Sequence, residues 1–229
     1  MTEIHHPAIT ERYDKMFKTD PERAALLLAK ERYEFGLILD DALTTCNYTP
    51  PKEPITILNV GCGMGVETPV LIEQFGGSQN KANQVSIIGI DPLERRIQIA
   101  QELAENSPGK HTFIVGDARK LDEYPNIPEQ VDVALIRRQN IGMFPSPAPW
   151  VKIFSQTMER LRPGGLAVVT SLHDSEHDRM LHGFKELGYA PAQTVPSYTR
   201  YRGSSTDSFS ENVTMPIEEH IAIFHKPIS

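Results

Sequence analysis

Short apolar runs rich in Ile and Val recur along the chain, separated by longer stretches whose apolar residues follow the period of a helix. This alternation is typical of a parallel β-sheet covered by helices. The runs are apolar throughout rather than every second residue, as expected of strands that are buried on both faces. The five predicted strands are Ile55–Val60, Val85–Ile90, His111–Val115, Val131–Ile136 and Leu166–Thr170.

Helical periodicity predicts the segments that connect these strands, and glycine or proline follows most of them as a stop signal. The sequence Arg162-Pro163-Gly164-Gly165 is predicted to turn the chain from the third of these helices into the fifth strand. The predicted helices are Val66–Phe75, Leu93–Asn106, Pro149–Leu161 and Arg179–Leu187.

Both ends of the chain carry further predicted elements. Asp20 followed by Pro21 is a typical helix start, and it predicts a helix from Pro21 to about Leu43 whose apolar face packs on the sheet. Near the other end, the apolar run His220–His225 follows a weaker run near Tyr189–Tyr201. We expect these two runs to close the sheet as a final pair of strands.

The length and composition are those of an ordinary globular protein. A chain of 229 residues suits one large domain that carries a modest extra segment. We divide it into an N-terminal helical cover, residues 1–50, and a sheet domain, residues 51–229. Hydrophobic residues make up 39% and charged residues 23% of the chain, which excludes wholesale disorder.

Charge and cysteine content exclude several classes of protein. The formal net charge of -7 disfavours binding to nucleic acid or to anionic lipid through the whole surface. Cys46 and Cys62 are too few for a disulfide framework or a zinc site, and we predict no metal site. No apolar run approaches the roughly 18 residues of a membrane span. The sequence MTEIHHPAITERYDK lacks the apolar core of a signal peptide, so we expect a cytoplasmic protein.

The most informative motif is ILNVGCGMG at residues 57–65, where an apolar strand leads into three alternating glycines ahead of a helix. Glycine lets the backbone turn sharply and approach a ligand closely, and the N-terminus of a helix offers unpaired N–H groups. The motif therefore predicts a ligand site, although a tight turn with no ligand has the same pattern. The dinucleotide fingerprint requires glycine at Val66, and the phosphate-binding P-loop motif is absent.

Acidic residues follow the next two strands. Asp91, in IIGIDP, can accept hydrogen bonds from two ribose hydroxyls, and it could also cap a helix that begins at Pro92. Asp117, in VGDA, follows the third strand. Ligands of open parallel sheets bind outside the carboxyl ends of the strands, so we expect these loops to meet around one site.

Taken in this order, the segments resemble the class I (Rossmann-like) S-adenosylmethionine-dependent methyltransferase family over about Ile55–Thr170 and the C-terminal strand pair. The resemblance implies an α/β fold with a seven-stranded, mostly parallel sheet, an antiparallel C-terminal strand, and helices on both faces beneath a helical N-terminal cover. It also implies S-adenosylmethionine as the cofactor.

The same resemblance assigns roles to the loops. The glycine loop would lie against the methionine part of the cofactor, Asp91 would take the ribose hydroxyls, Asp117 would bond the adenine amino group, and Leu93 would pack on the adenine. Where the family most often has Asp or Glu, this chain has Asn59, so a charge toward the cofactor's cationic end is lost. The full set of implied cofactor-binding residues is Asn59, Gly61, Cys62, Gly63, Gly65, Asp91, Pro92, Leu93, Asp117, Ala118 and Arg137.

Candidate catalytic residues follow the fourth and fifth strands. Arg137 and Arg138 could hold a carboxylate or phosphate of the methyl acceptor, or one could pair with a nearby carboxylate while the other is solvated. His173 is the candidate general base, because an imidazole titrates near neutral pH. The alternative is a polar loop in which Ser175 or Asp178 caps the next helix. Cys62 is interpreted as a small filler residue rather than as a nucleophile.

We expect the segments Tyr13–Phe17 and Tyr198–Phe209 to cover the site. The sequence therefore favours a methyltransferase that acts on an oxygen or nitrogen atom of a small-molecule acceptor. The alternatives are an RNA methyltransferase and a non-catalytic S-adenosylmethionine-binding module, while Val66 disfavours a nicotinamide-dependent oxidoreductase. Binding to nucleic acid is disfavoured but left open, no membrane partner is expected, and a homodimer is compatible with the sequence.

Overall fold

A computed structural model describes residues 19–49, 54–76, 84–138, 148–196 and 220–228. Strands and helices alternate along most of this chain, as the sequence predicts. In order, the elements are α1 (Pro21–Thr45), β1 (Ile55–Val60), α2 (Thr68–Gly76), β2 (Val85–Asp91), α3 (Glu94–Ala104), β3 (Lys110–Val115), a 3₁₀ helix (Ala118–Glu123), β4 (Val131–Ile136), α4 (Ala148–Arg160), β5 (Leu161–Ser171), α5 (Asp174–Glu186), β6 (Gln193–Pro196) and β7 (His220–His225).

The seven strands form one sheet in the order β3-β2-β1-β4-β5-β7-β6. Strands β1 to β5 are parallel to one another, while β7 lies antiparallel between β5 and β6. The chain changes direction across the sheet at β1, which pairs with both β2 and β4. This is the topological switch point at which open α/β sheets bind ligands. The predicted fold class, with one antiparallel strand near the C-terminus, is confirmed.

Helices cover both faces of the sheet. Side chains alternate between the two faces along each strand, so Leu58 and Ile57 lie in different cores. Leu58 packs in a cluster that includes Phe154 of α4 and Phe184 of α5. Ile57 packs in a cluster that includes Phe35 of α1 together with residues of α2. Helix α1 therefore contributes to the core, as its apolar face predicts.

Helix α1 begins as the sequence predicts. The side chain of Asp20 accepts a hydrogen bond from the backbone N–H of Arg23, and Pro21 occupies the first turn. The helix continues two residues beyond the predicted end at Leu43, to Thr45. None of the described helices combines the length and the apolar character that a bilayer span requires.

The starts of two predicted elements are wrong by five residues. Strand β5 begins at Leu161 rather than Leu166, because the predicted turn at residues 162–165 lies inside the strand as a bulge. Val131 of β4 is opposite Leu161, and Val133 is opposite Leu166, so the register shifts between these pairs. The segment after β7 also holds the bulge, because Gly164 donates its backbone N–H to the carbonyl oxygen of Lys226 at 2.9 Å.

The second wrong boundary is the start of α5, which begins at Asp174 rather than Arg179. The polar character of Asp174–Asp178 predicts a loop, but these residues form the first turn of the helix and the start of its second turn. Acidic residues are favourable there because the N-terminus of a helix is positive. Ser175 and Asp178 thus lie within the helix and do not cap it.

Candidate active site

The glycine turn after β1 has the backbone conformation that the motif predicts. Gly61, Gly63 and Gly65 have φ angles of 66°, 53° and 66°, in the left-handed region that glycine adopts without steric cost. The backbone N–H groups of Gly61 and Cys62 both donate to the carbonyl oxygen of Ile90, at 2.8 and 3.1 Å. The turn is thereby fixed to the end of β2.

Two of these glycines have different surroundings. A Cβ added to Gly65 would lie 3.1 Å from the Cβ of Ala100 and 3.1 Å from the ring of Phe113, so this glycine allows α3 and β3 to pack against the turn. A Cβ added to Gly63 would meet no described atom within 4 Å. Gly63 therefore presents bare backbone to open space, which suits close approach by a ligand.

Asp91 joins the glycine turn to the start of α3. The residue is buried, with only 4% of its surface exposed. Oδ2 accepts the backbone N–H of Gly63 at 3.0 Å, and Oδ1 accepts the backbone N–H of Leu93 at 2.9 Å. The helix starts at Glu94, so the predicted cap for a helix beginning at Pro92 is wrong by two residues. A carboxylate has about four acceptor sites, so Asp91 keeps capacity for ligand hydroxyls.

Asp117 is paired with its own neighbour. The Nε of Arg119 donates to both carboxylate oxygens at 2.9 Å, and these hydrogen bonds hold the pKa of Asp117 below its ordinary value. The backbone N–H of Asp117 donates to the hydroxyl of Tyr124 at 2.8 Å. Ala118 follows as the first residue of the 3₁₀ helix. A ligand amino group bound by Asp117 must share the carboxylate with Arg119.

Arg137 is buried directly after β4 and contacts two carboxylates. Its Nη1 lies 2.7 Å from Glu67, which precedes α2, and 3.2 Å from Glu31 of α1. The guanidinium also lies over the ring of Phe35, 4.6 Å from the centroid, where the ring quadrupole attracts the cation. Arg137 therefore links three segments that are distant in sequence.

Arg138 shares one of these carboxylates. Its Nη1 lies 2.7 Å from Oε1 of Glu31, and its backbone N–H donates to the hydroxyl of Thr170 on β5 at 3.2 Å. Its φ of 49° is unusual for a residue with a side chain. The alternative in which one arginine pairs and the other is solvated is wrong, because Arg137 and Arg138 both contact Glu31. Sequence reading missed Glu31 and Glu67.

Several buried polar atoms at this edge have no hydrogen-bond partner among the described residues. Asn59 is 1% exposed, and neither its side-chain oxygen nor its nitrogen is paired within that part of the chain. The Oε2 of Glu67 is also buried and has no hydrogen-bond partner among the described residues. Buried polar groups are normally paired, so these atoms fit a site that receives a polar ligand.

His173 lies directly before α5 and is exposed. Its carbonyl oxygen accepts the backbone N–H groups of Glu176 and His177 at 3.0 and 2.9 Å, while its side chain makes no capping hydrogen bond. It follows β5 at the carboxyl edge of the sheet, as predicted. The chain order therefore brings His173 to the edge that also carries Arg137 and Arg138.

Two further histidines lie close to this loop. The rings of His177 and His220 stack with their centroids 4.6 Å apart, and Nε2 of His220 lies 2.6 Å from Oδ1 of Asp174. Burial lowers the pKa of His177 to about 4, with a further contribution from His220. Sequence reading missed this pair because it placed the start of α5 too late. A helix that begins at Asp174 puts His177 one turn along.

Cys62 has the surroundings of a core residue. It packs in a cluster with Ile97, Ala100, Ala104 and Phe113. Burial raises the pKa of its thiol well above the ordinary value, and the nearby charges of Asp91 and Glu67 raise it further. A protonated thiol is a poor nucleophile, so the interpretation of Cys62 as a small filler agrees with the structure.

The predicted cover segments Tyr13–Phe17 and Tyr198–Phe209 lie outside the described residues. Within the described ranges, no group of three His, Cys, Asp or Glu side chains is arranged to hold a metal ion.

Residues 57–165 match the family described as the methyltransferase domain. Magnesium protoporphyrin IX methyltransferase from Synechocystis PCC 6803, solved with bound SAM, matches with a TM-score of 0.59 at 13% identity, covering 98% of this chain and 100% of that one. N-methyltransferase NodS from Bradyrhizobium japonicum WM9, in complex with S-adenosyl-l-homocysteine, gives 0.58 at 15% identity, covering 95% and 97%. A putative rRNA-methylase from Clostridium thermocellum gives 0.55 at 19% identity, covering 81% and 96%. No curated protein matches the sequence. At these identities the structural likeness shows the fold.

Proposed function

We propose that this chain transfers a methyl group from S-adenosylmethionine to a small-molecule acceptor, because residues 57–165 match the methyltransferase domain family and the fold is shared with solved methyltransferases. The accepting atom is an oxygen or a nitrogen. The cofactor supplies an activated methyl group on a sulfonium, which is a good leaving group. The protein's task is therefore chiefly to position the acceptor in line with that methyl.

One observation carries the cofactor assignment. The left-handed glycine turn is held to β2, and Gly63 in that turn faces open space beside the carboxylate of Asp91. Exposed backbone next to a buried carboxylate suits a ligand that has a ribose and a chain attached to it. The names of two structural neighbours, which carry SAM and S-adenosyl-l-homocysteine, agree with this choice.

The proposed cofactor contacts follow from the placement of the cofactor beside Gly63 and Asp91. Asp91 takes the ribose hydroxyls, while Pro92 and Leu93 lie beside it, directly before α3. Asp117 and Ala118 hold the adenine. The turn and its neighbours contact the methionine part through Asn59, Gly61, Cys62, Gly63, Gly65 and Arg137.

The proposed acceptor contacts lie after β4 and β5. The side chain of Arg138 is 21% exposed and that of Arg137 is 4% exposed, so Arg138 is the better placed of the two to reach an anionic acceptor. Its partner Glu31 must then share the guanidinium. His173 is exposed beside this loop, and we propose that it takes the proton from the attacking atom. We also propose a cytoplasmic location, and the homodimer stays a prediction.

RNA is the second candidate acceptor, because one structural neighbour is a putative rRNA-methylase. The net charge of -7 speaks against it, since RNA binding generally needs a basic surface.

The test is transfer of a labelled methyl group from S-adenosylmethionine to fractionated metabolite and RNA pools. We expect the label in a small-molecule fraction. Label in RNA alone, with a steep dependence of transfer on salt, would support the second candidate. Binding of S-adenosylmethionine without transfer to any pool would instead support a non-catalytic binding module.

Once an acceptor is found, His173→Ala should lower kcat about 10²- to 10⁴-fold with cofactor affinity nearly unchanged. His182→Ala is the matched control, because His182 is an exposed histidine on α5 that contacts Glu186. Equal rates in the two variants would show that His173 is not the base.

A further inference from the structure

Buried polar atoms lie near the end of β1 and at the start of α2. The side chain of Asn59 has both an acceptor and a donor without partners in the described residues, and Glu67 has one unpartnered oxygen, Oε2. Leaving such groups unpaired in the interior destabilises a protein, and a charged group does so more than a neutral one. The arrangement therefore indicates a ligand that pairs with them.

Strand register places these atoms on the same side of the sheet. Asn59 is opposite Leu135, and Ile57 and Leu135 both lie in the core beneath α1 and α2. Side chains alternate along a strand, so Asn59 and Arg137 point to that same face. Glu67 directly precedes α2 and contacts Arg137 at 2.7 Å. Asn59 and Glu67 therefore face the same corner, beside the glycine turn.

The ion pair between Arg137 and Glu67 determines which carboxylate oxygen of Glu67 is available to a ligand. Arg137 contacts Oε1 of Glu67, which leaves Oε2 as the oxygen without a partner in the described chain. The four charged side chains of the network, Glu31, Glu67, Arg137 and Arg138, sum to zero charge. A network that is already neutral best accepts a ligand end that is itself neutral overall, such as a zwitterion.

The unpaired atoms also indicate which chemical group of the ligand they bind. A carboxylate oxygen and an amide oxygen both accept hydrogen bonds, so they suit a group with several N–H donors, and an ammonium has three. Hydrogen bonds between an ammonium and a carboxylate are about twice as strong as neutral ones.

We propose that Glu67 is the carboxylate that receives the α-ammonium group of S-adenosylmethionine, with the side-chain oxygen of Asn59 as a second acceptor. This inference rests on the proposed function. It explains how the chain tolerates an amide at position 59, because the negative charge comes instead from Glu67, which ends the loop between β1 and α2. In addition to the contact proposed above, Arg137 holds Glu67 in place.

The test is calorimetric binding of S-adenosylhomocysteine and of its des-amino analogue, which keeps the carboxylate but lacks the ammonium. For Glu67→Gln, we expect affinity for S-adenosylhomocysteine to fall about 10- to 100-fold, since a charged hydrogen bond is lost. The des-amino analogue should bind Glu67→Gln and the wild type equally well. Glu73→Gln, which alters an exposed glutamate on α2, is the matched control and should bind both ligands like the wild type.

A rescue separates a binding role from a purely structural one. Introducing Asn59→Asp into Glu67→Gln returns a charge to the same corner, and it should recover most of the lost affinity for S-adenosylhomocysteine. If Glu67→Gln loses the same factor for both ligands, Glu67 only supports Arg137 and the inference is wrong. Unchanged binding of S-adenosylhomocysteine by Glu67→Gln overturns the inference alone, whereas failure of the wild type to bind it overturns the proposed function as well.

Discussion

The carboxylate of Asp91 accepts the backbone N–H of Gly63 at 3.0 Å, so the end of β2 holds the glycine turn that follows β1. The same carboxylate accepts the N–H of Leu93. One buried side chain thus fixes two loops and still has acceptor capacity toward a ligand.

This double role makes Asp91 costly to replace. Asp91→Ala should weaken binding of S-adenosylhomocysteine by about 1.5–3 kcal/mol and also lower the free energy of unfolding by about 1–3 kcal/mol, because two backbone N–H groups lose their acceptor. Calorimetry and urea unfolding measure the two effects separately. Asp122→Ala, at an exposed aspartate of the 3₁₀ helix, is the control. Undiminished affinity in a folded Asp91→Ala protein would limit Asp91 to holding the loops.

Substitutions at two glycines of the turn should have different effects on cofactor binding and on the free energy of unfolding. Gly63→Ala and Gly65→Ala both place a side chain at positive φ, but only the Cβ at residue 65 meets Ala100 and Phe113, each at 3.1 Å. We expect a loss in the free energy of unfolding of about 1 kcal/mol for Gly63→Ala and about 2–4 kcal/mol for Gly65→Ala.

Gly63→Ala should show its larger effect on cofactor affinity, because its new methyl group points into open space at the proposed cofactor seat. Urea unfolding without ligand, followed by titration with S-adenosylhomocysteine, gives both quantities for each variant. A larger loss of affinity for S-adenosylhomocysteine in Gly65→Ala than in Gly63→Ala would contradict the placement of the cofactor beside Gly63.

The local parts of this site could be predicted from sequence. The glycine turn depends on backbone conformations that few residues other than glycine adopt, and Asp91 stands at the end of an unbroken apolar strand. The strands were found because burial on both faces leaves an unbroken apolar run. These signals lie within a few residues of the features that they predict.

The ion network could not be predicted in the same way. Glu31 and Arg137 are 106 positions apart, and Glu31 has the sequence context of an ordinary solvated residue on a helix. Only the packing of α1 on the sheet brings the two together. The start of α5 was missed because its first turn is polar, and that error concealed the stacking of His177 with His220.

Acid should destabilise the fold partly through His177. Its pKa is lowered from 6.5 to about 4 by burial and by His220, so between these values the unfolded chain binds a proton that the folded chain does not. Stability therefore falls as the pH decreases through this window, by at most about 1.4 kcal/mol per pH unit from this group, and the contribution is constant above it.

The measurement is urea unfolding at pH 7.5 and pH 5. The wild type should lose on the order of 1 kcal/mol more than His177→Gln over this interval. His182→Gln, at an exposed histidine of the same helix, should behave like the wild type. Equal losses in the wild type and His177→Gln would show that His177 titrates normally in the folded protein.

Ligand-induced stabilisation tests the central claim most directly, that the glycine turn and Asp91 form a seat for S-adenosylmethionine. S-adenosylhomocysteine at about 100 times its Kd should add roughly 2.7 kcal/mol to the free energy of unfolding and raise the Tm of the wild type. NAD should leave the Tm unchanged, since Val66 stands where a dinucleotide turn needs glycine. An increase in Tm with NAD and none with S-adenosylhomocysteine would contradict the account.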